Sequence, residues 1–218
     1  MKKKKIFILV DNDSWIIPYA NVLKNKLELL GYPTNLIRDS KEIREGWINF
    51  ILGCTKIIGS DCLKKNQHNL VVHESDLPQG RGFAPMAWQI IEGKGVIPIC
   101  LIEADSEVDS GDIWIKDEIK LNGTELSNEW RDLQGQKTVD LCYRFVTNYE
   151  KLRPTAQLGE GSYYKRRKPV DSKLDIKKSV EEQFNLLRVV DNEKYPAFFE
   201  LHGKQYILKI EGVDVISK

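Results

Sequence analysis

The run Ile6-Phe-Ile-Leu-Val10, ended by Asp11-Asn-Asp-Ser14, constrains the fold more than any other stretch of this chain. An apolar run with no polar alternation has no wet face, so the strand it makes must be covered on both sides, as in a parallel sheet flanked by helices. Asp11 to Ser14 then offer side-chain oxygens suited to capping a helix start. Ile16, Tyr19, Ala20, Leu23, Leu27 and Leu30 follow at helical spacing, and Gly31 can end that helix. Further along, the pattern predicts a second strand over 34–37, a short helix over 41–47 and a third strand region over 49–52 and 56–58. A helical turn over 63–66 and a fourth strand over 69–73 come next. Strands alternating with helices imply right-handed crossovers and a doubly wound α/β sheet.

Sheets of this kind bind ligands beyond the carboxyl ends of their strands. The first such end, Asp11 to Trp15, has no glycine fingerprint, which argues against a dinucleotide site, and no P-loop sequence occurs anywhere. Several other classes are disfavoured by composition. The chain has 218 residues, a length for one domain with at most a small appendage. Lys+Arg of 33 against Asp+Glu of 32 leaves +1, without the basic excess of a dedicated nucleic-acid binder. No apolar run is long enough to span a bilayer. The lysines at 2–5 resemble a signal-peptide start, but the apolar run after them is too short, so they read as a solubilising tail. Cys54, Cys62, Cys100 and Cys142 show neither CxxC pairing nor metal-ligand spacing, and reduced thiols fit a cytoplasmic protein with no metal.

After the fourth strand comes the turn-rich loop Asp76-Leu-Pro-Gln-Gly-Arg-Gly82, then a helix over 85–92 ended by Gly93 and Gly95. A strand over 96–102, a polar loop over 106–112 and extended structure from Trp114 follow. Helical periodicity covers 130–151, and 154–172 reads as a linker rich in Gly, Tyr and basic residues. A helix over 180–189 and a strand over 206–210 close the pattern.

The segment His73-Glu-Ser-Asp-Leu-Pro-Gln-Gly-Arg-Gly-Phe-Ala-Pro85 resembles the HxSxLPxxRGxxP signature of the folate-dependent formyltransferases. Val108-Asp-Ser-Gly-Asp112 resembles that family's hydrophobic-DxGD loop, and Asp109 lies 109 − 73 = 36 residues after His73, in register with the family spacing. Tyr163-Tyr-Lys-Arg-Arg-Lys-Pro-Val-Asp171 is similar to its Y-x-x-R-R-x-P-x-D segment. The resemblance is strongest over 69–113 and returns over 161–210. It implies a doubly wound, Rossmann-like α/β formyltransferase domain over 1–153. Residues 154–218 would be a linker and a short C-terminal helix and strand packed on the same domain.

The resemblance also implies an activity, transfer of a formyl group from 10-formyltetrahydrofolate to an amine, with His73 and Asp109 as the catalytic pair. A histidine is suited to exchanging protons near neutral pH, and a carboxylate beside it holds and charges the ring. The implied folate site comprises Ser75, Leu77, Pro78, Gln79, Gly80 and Arg81, with the main chain around Leu101, Ile102 and Asp105. Asp11, Asn12, Trp15 and Trp88 are candidates for holding the acceptor. For Trp15 and Trp88, stacking on a base or sugar stands beside plain packing. For Lys165 to Lys168, phosphate binding stands beside solvated linker charge, which is the default.

One position departs from the pattern. The family usually has Asn-x-His, the asparagine donating to the developing oxyanion, and here that position is Val71. Asn69 faces the same side of the strand but sits about 7 Å away by strand rise. Losing such a donor can cost about 2.7–4 kcal/mol. The expectation is an active enzyme with another donor, and a non-catalytic folate or nucleotide-sugar binder is the alternative. Among acceptors, the end at Lys218 and the balanced charge point away from methionyl-tRNA, and the motif fits glycinamide ribonucleotide enzymes poorly. The sugar N-formyltransferases remain, and a relative serving the pseudaminic acid pathway suits a compact chain, so the expected partner is a nucleotide-linked amino sugar. A peptide-synthetase substrate is a further alternative, and the sequence leaves the oligomeric state open.

Overall fold

The computed structural model describes residues 4–105 and 107–213. The start of the expected tail, residues 1–3, and Ser106, the first residue of the expected polar loop, lie outside the described residues. In chain order the elements are β1 (Ile6–Leu9), α1 (Ile17–Leu29), β2 (Thr34–Ile37), β3 (Gly46–Ile51), α2 (Ser60–Leu63) and β4 (Asn66–His73). Then come β5 (Arg81–Gly82), α3 (Pro85–Ile91), β6 (Val96–Glu103), β7 (Ile113–Lys120) and α4 (Ser127–Asn148). The last are β8 (Tyr163–Tyr164), α5 (Phe184–Arg188), β9 (Ala197–Leu201) and β10 (Lys204–Leu208).

The main sheet runs β2-β1-β3-β4-β6-β7. The first four strands are parallel, and β1 is fully buried, as its unbroken apolar run requires. One face packs against α1 and α4 through Ala20, Leu23, Leu27, Val139 and Phe145. The two helices approach closely because position 135 carries no side chain: a Cβ on Gly135 would lie 2.6 Å from the Tyr19 ring. Phe7, Leu9, Ile37 and Ile43 form a smaller cluster with the partly buried Cys54, Ile58 and Cys62.

Three expectations need correcting. First, β6 runs antiparallel to β4, with His73 opposite Cys100 and Leu70 opposite Glu103, so the sheet is mixed. The intervening α3 has seven residues, about 10 Å of rise, whereas the eight-residue β4 climbs about 26 Å. A helix that short cannot return the chain to the foot of the sheet, so β6 re-enters from the top. Second, the helix expected over 41–47 is a single turn at Ser40–Glu42, closed by reciprocal Asp39 and Glu42 hydrogen bonds. The chain then straightens, and Ile43, Trp47 and Ile48 are all buried. Third, residues 56–58 form no strand, because the N–H groups of Thr55 and Lys56 donate to the Asp11 carboxylate at 2.9 and 3.0 Å instead of to a neighbouring strand.

The segment after α4 is tied back to the sheet. Thr155 bridges Ile113, β8 pairs with β5, and β9 and β10 form a hairpin beside α5. No helix among the described residues is long and apolar enough to cross a membrane.

Candidate active site

His73 ends β4, 4% exposed, at the level where β3, β4 and β6 leave the sheet. Its Nε2 lies 2.8 Å from the Gly80 carbonyl oxygen, which can only accept, so Nε2 donates there. Its Nδ1 faces Asp109 Oδ2 at 3.5 Å, and the same oxygen accepts the Gly82 N–H at 2.9 Å. The aspartate sits in the left-handed region at φ 55, a conformation Asp tolerates better than most residues. Gln157 fixes it there, its Nε2 donating to the carbonyls of Asp109 and Gly111 at 2.8 Å each. Gly111 lies so close to the Glu103 carbonyl that no Cβ could be accommodated, which brings the loop back against the end of β6.

The Gly80–Gly82 turn is held from the other side by the chain around 157–164. Ser162 Oγ accepts the Gly80 N–H, the Ser162 carbonyl accepts the Arg81 N–H, and the Arg81 guanidinium donates to Gln157 Oε1. Gly82 has φ 98, and a Cβ there would lie 2.5 Å from the Tyr164 carbonyl oxygen.

Two cavities adjoin at this point. The first, about 400 Å³, has His73 and Asp109 in its wall beside Ile51, Val71, Ile102 and Val108. Residues 103–105 line another side. The second, about 350 Å³, lies between α3, α4 and the chain at 166–172, with Trp15, Arg131, Gln134, Arg166, Arg167 and Lys168 in its wall. Cys54, Thr55, Glu74, Phe83 and Ala84 line both. The first suits a flat, largely apolar group delivered to His73. The second carries a cluster of cations suited to an anion.

The residues singled out from sequence are divided between wall and scaffold. His73, Asp109, Ile102, Asp105 and Trp15 line cavities. Ser75 and Leu77 are buried beneath the turn, and Pro78 faces away with Leu77, beside Trp114. Gln79, Gly80 and Arg81 are spent on Glu160, Ser162 and Gln157. Leu101 points into the main core. Asp11 and Asn12 brace the 53–56 turn, Asn12 donating to the Gly53 carbonyl. Burial opposes ionisation of Asp11, but hydrogen bonds from Asn12, Thr55 and Lys56 outweigh it and hold its pKa below the ordinary value. Trp88 donates to the Lys165 carbonyl and stacks on Tyr164, so its role in this structure is packing.

Asn69 turns away from the His73 cavity: its Nδ2 donates to the Leu63 carbonyl at 2.8 Å, and its Oδ1 faces the Asn49 amide. Val71 packs on Leu77, Cys100, Ile102 and Ile113. Sequence reasoning passed over Glu74, Gln134, Arg131 and Gln157. Glu74 alone carried a signal, as an acidic residue inside the motif next to His73. The others are brought in by α4 and by the chain after it, from positions with no local mark. Among the described residues no group of three or more His, Cys, Asp or Glu is placed to hold a metal ion.

Residues 38–136 match the family model described as formyl transferase. A methionyl-tRNA formyltransferase from Francisella philomiragia is 28% identical over 150 residues, 68% of this chain and 47% of that protein. The chain thus spans less than half the length of that relative. Among solved structures, methionyl-tRNA formyltransferase from Clostridium thermocellum superposes with a TM-score of 0.80 at 25% identity, covering 97% of this chain and 94% of that one. A 4-N formyltransferase from Francisella tularensis gives 0.71 at 20% identity, covering 97% and 99%. HypX from Aquifex aeolicus, in complex with tetrahydrofolic acid, gives 0.75 at 16% identity, covering 94% of this chain and 37% of that one.

Proposed function

We propose, from the match of residues 38–136 to the formyl transferase model, that this chain moves a formyl group from 10-formyltetrahydrofolate to the amine of a nucleotide-linked amino sugar. The observation that carries this reading is the juxtaposition of two cavities across Glu74, Phe83 and Ala84, one with His73 in its wall and one lined by cations. The apolar slot by His73 fits the folate ring, with residues 103–105 along its edge. The formyl-folate supplies an activated one-carbon acyl group, and the amine of the acceptor takes it.

His73 accepts the proton that the attacking amine must lose. With Nε2–H donating to the Gly80 carbonyl, Nδ1 is the nitrogen whose lone pair accepts it, and its 3.5 Å contact to Asp109 is the longer of the two. Asp109, held by Gly82 and Gln157, orients the ring and stabilises its charged form. Arg131, Arg166, Arg167 and Lys168 receive the phosphates, and Trp15 offers a ring face to sugar or base. With Asn69 engaged elsewhere, the oxyanion donor is a backbone N–H or the protonated His73 ring.

A second reading is favoured by one observation, the methionyl-tRNA formyltransferases among the relatives. A charged tRNA would also bring an amine and phosphates. Both readings meet the same experiment: 10-formyltetrahydrofolate is incubated with 3- and 4-amino nucleotide sugars and with methionyl-tRNA, and products are weighed by mass spectrometry. A formyl gain on an amino sugar is expected, and His73→Ala should lower that rate by about 10²–10⁴-fold, the usual weight of a general base. Formyl gain on methionyl-tRNA alone would replace the acceptor assignment, and unchanged turnover in His73→Ala would remove the histidine from its role.

A further inference from the structure

Glu74 is a buried carboxylate that forms no salt bridge among the described residues. It lines both cavities, is 9% exposed, and follows His73 directly in sequence. Its Oε1 accepts from Gln134 Nε2 at 2.7 Å, and its own carbonyl accepts from Gln89 Nε2 at 2.6 Å. Burial opposes its ionisation most strongly and the Asp109 charge adds to that, while the His73 charge, the Gln134 hydrogen bond and its own backbone N–H favour the ionised form. Gln134 supplies the second, independent observation. It is also 9% exposed, lines the cation-rich cavity, and its Oε1 is buried with no hydrogen-bond partner. A buried carboxylate beside an amide oxygen that has no donor, both on one cavity wall, describes a receptor for an N–H-rich cation.

We propose that Glu74 and Gln134 form the subsite that reads the acceptor's amine: they bind it as the ammonium, and Glu74 takes its first proton. This rests on the acceptor being an amine, as argued above, and adds which residues select it. The step balances as a simple proton transfer. R–NH3+ and the Glu74 carboxylate give R–NH2 and the carboxylic acid, no electrons change hands, and the lone pair freed on nitrogen is the one that attacks. His73 is then left for the second proton, released as the new C–N bond forms, and passes it to N10 of the folate as the N10–formyl bond breaks. Glu74 returns its proton to water when product leaves.

Burial raises the Glu74 carboxyl above its ordinary value, which suits a group that must hold a proton taken from an amine. The charged and titratable groups around it are His73 from β4, Asp109 from the loop before β7, Cys54 from the turn after β3, and Arg131 from α4. Arg166, Arg167, Lys168 and Asp191 complete the lining of the shared cavity. Arg131 is paired with Asp191 at 3.1 Å, and Arg166 lies over the Phe83 ring at 4.3 Å. Cations for phosphate and acceptors for ammonium thus occupy one cavity, the pattern needed by a ligand carrying both charges.

The test is binding, free of turnover. UDP- and dTDP-linked 4-amino-4,6-dideoxyhexoses are titrated calorimetrically against their 4-hydroxy counterparts, with wild-type protein, Glu74→Gln and Gln134→Leu. Retained binding of a folate analogue certifies each fold. Wild type is expected to favour the amine by about 10–100-fold, the weight of a charge-assisted contact, and Glu74→Gln to bring that ratio near one while keeping the hydroxy compound's affinity. The wild-type preference should also fall as pH drops and Glu74 protonates, a dependence absent from Glu74→Gln. Equal wild-type affinity for both compounds, or a preference that survives Glu74→Gln, overturns the amine subsite while leaving a nucleotide-sugar acceptor standing. No wild-type binding of either compound overturns the acceptor reading, and this inference with it.

Discussion

At the scale of single residues, Glu74 and Val71 depart furthest from what a buried strand end ordinarily carries. Glu74 is ionised at a cost, because burial raises its pKa above the ordinary 4.5. For an acid whose folded-state value lies above its unfolded value, the protonated form favours folding. That contribution is complete below about pH 4.5 and is lost as pH climbs through the raised value. Glu74→Gln has no such loss. Its melting temperature should therefore gain on wild type between pH 5 and pH 8.5, read by calorimetry at both, and a difference that does not change with pH would mean the carboxyl is not strained by burial. Val71 belongs to an apolar cluster with Leu77, Cys100, Ile102 and Ile113. An asparagine there would replace apolar packing on Leu77 and Ile102 with a half-buried amide in the cavity wall, at about 1–3 kcal/mol. Val71→Asn should lower stability by that order and leave kcat no higher. A rise towards the about 10²–10³-fold worth of one oxyanion donor would show that the present site lacks that donor.

At the scale of elements, the His73 loop is shaped by a partner distant in sequence. β5 and β8 are two residues each, yet their pairing sets the Gly80–Gly82 turn, and Gly82 meets the Tyr164 carbonyl with no room for a side chain. Gly82→Ala combines a left-handed backbone with that overlap, so a cost of about 1–3 kcal/mol is expected from strain, with Asp109 losing its N–H donor as the turn shifts. Formyl transfer should fall together with the melting point, and normal turnover would free the turn from this role. The same pairing explains what could and could not be read in advance. The runs at β1 and β4, the α1 stripe and the His73 and Asp109 loops are local patterns, and they stand in the structure where the string put them. β6 was readable as a strand but not in direction, since the length of α3 decides that. Gln157, Gln134 and Arg131 act only through chain folded back over long separations, and no periodicity marks such residues. Ser75, Leu77, Pro78, Gln79, Gly80, Arg81 and Leu101 are the folate-site residues the resemblance implies, and in this structure Gly80 and Arg81 are held by the 157–164 segment while Leu101 packs in the core.

At the scale of the whole molecule, the question is whether the chain beyond residue 153 is an attachment or part of the core. Its contacts argue for the second. Trp130 of α4 donates to the Arg188 carbonyl at 3.0 Å, and Arg188 pairs with Glu125 at 2.9 Å with the two side chains 4% and 12% exposed. Breaking a buried pair from one side leaves a bare charge and costs about 3–5 kcal/mol. Val189, Asp191 and Tyr195, just beyond it, line the cation-rich cavity. A segment that closes the site and shares a buried charge pair with the turn before α4 has little freedom to melt first. We therefore propose that residues 154–213 unfold with the α/β sheet in one transition. Urea titrations followed by far-UV circular dichroism and by tryptophan fluorescence should coincide. Trp130 reports the joint while Trp47 and Trp114 report the sheet end near Tyr149. Two separated midpoints would make the closing segment an independent unit, and the cation-rich cavity would then open before the His73 site is lost.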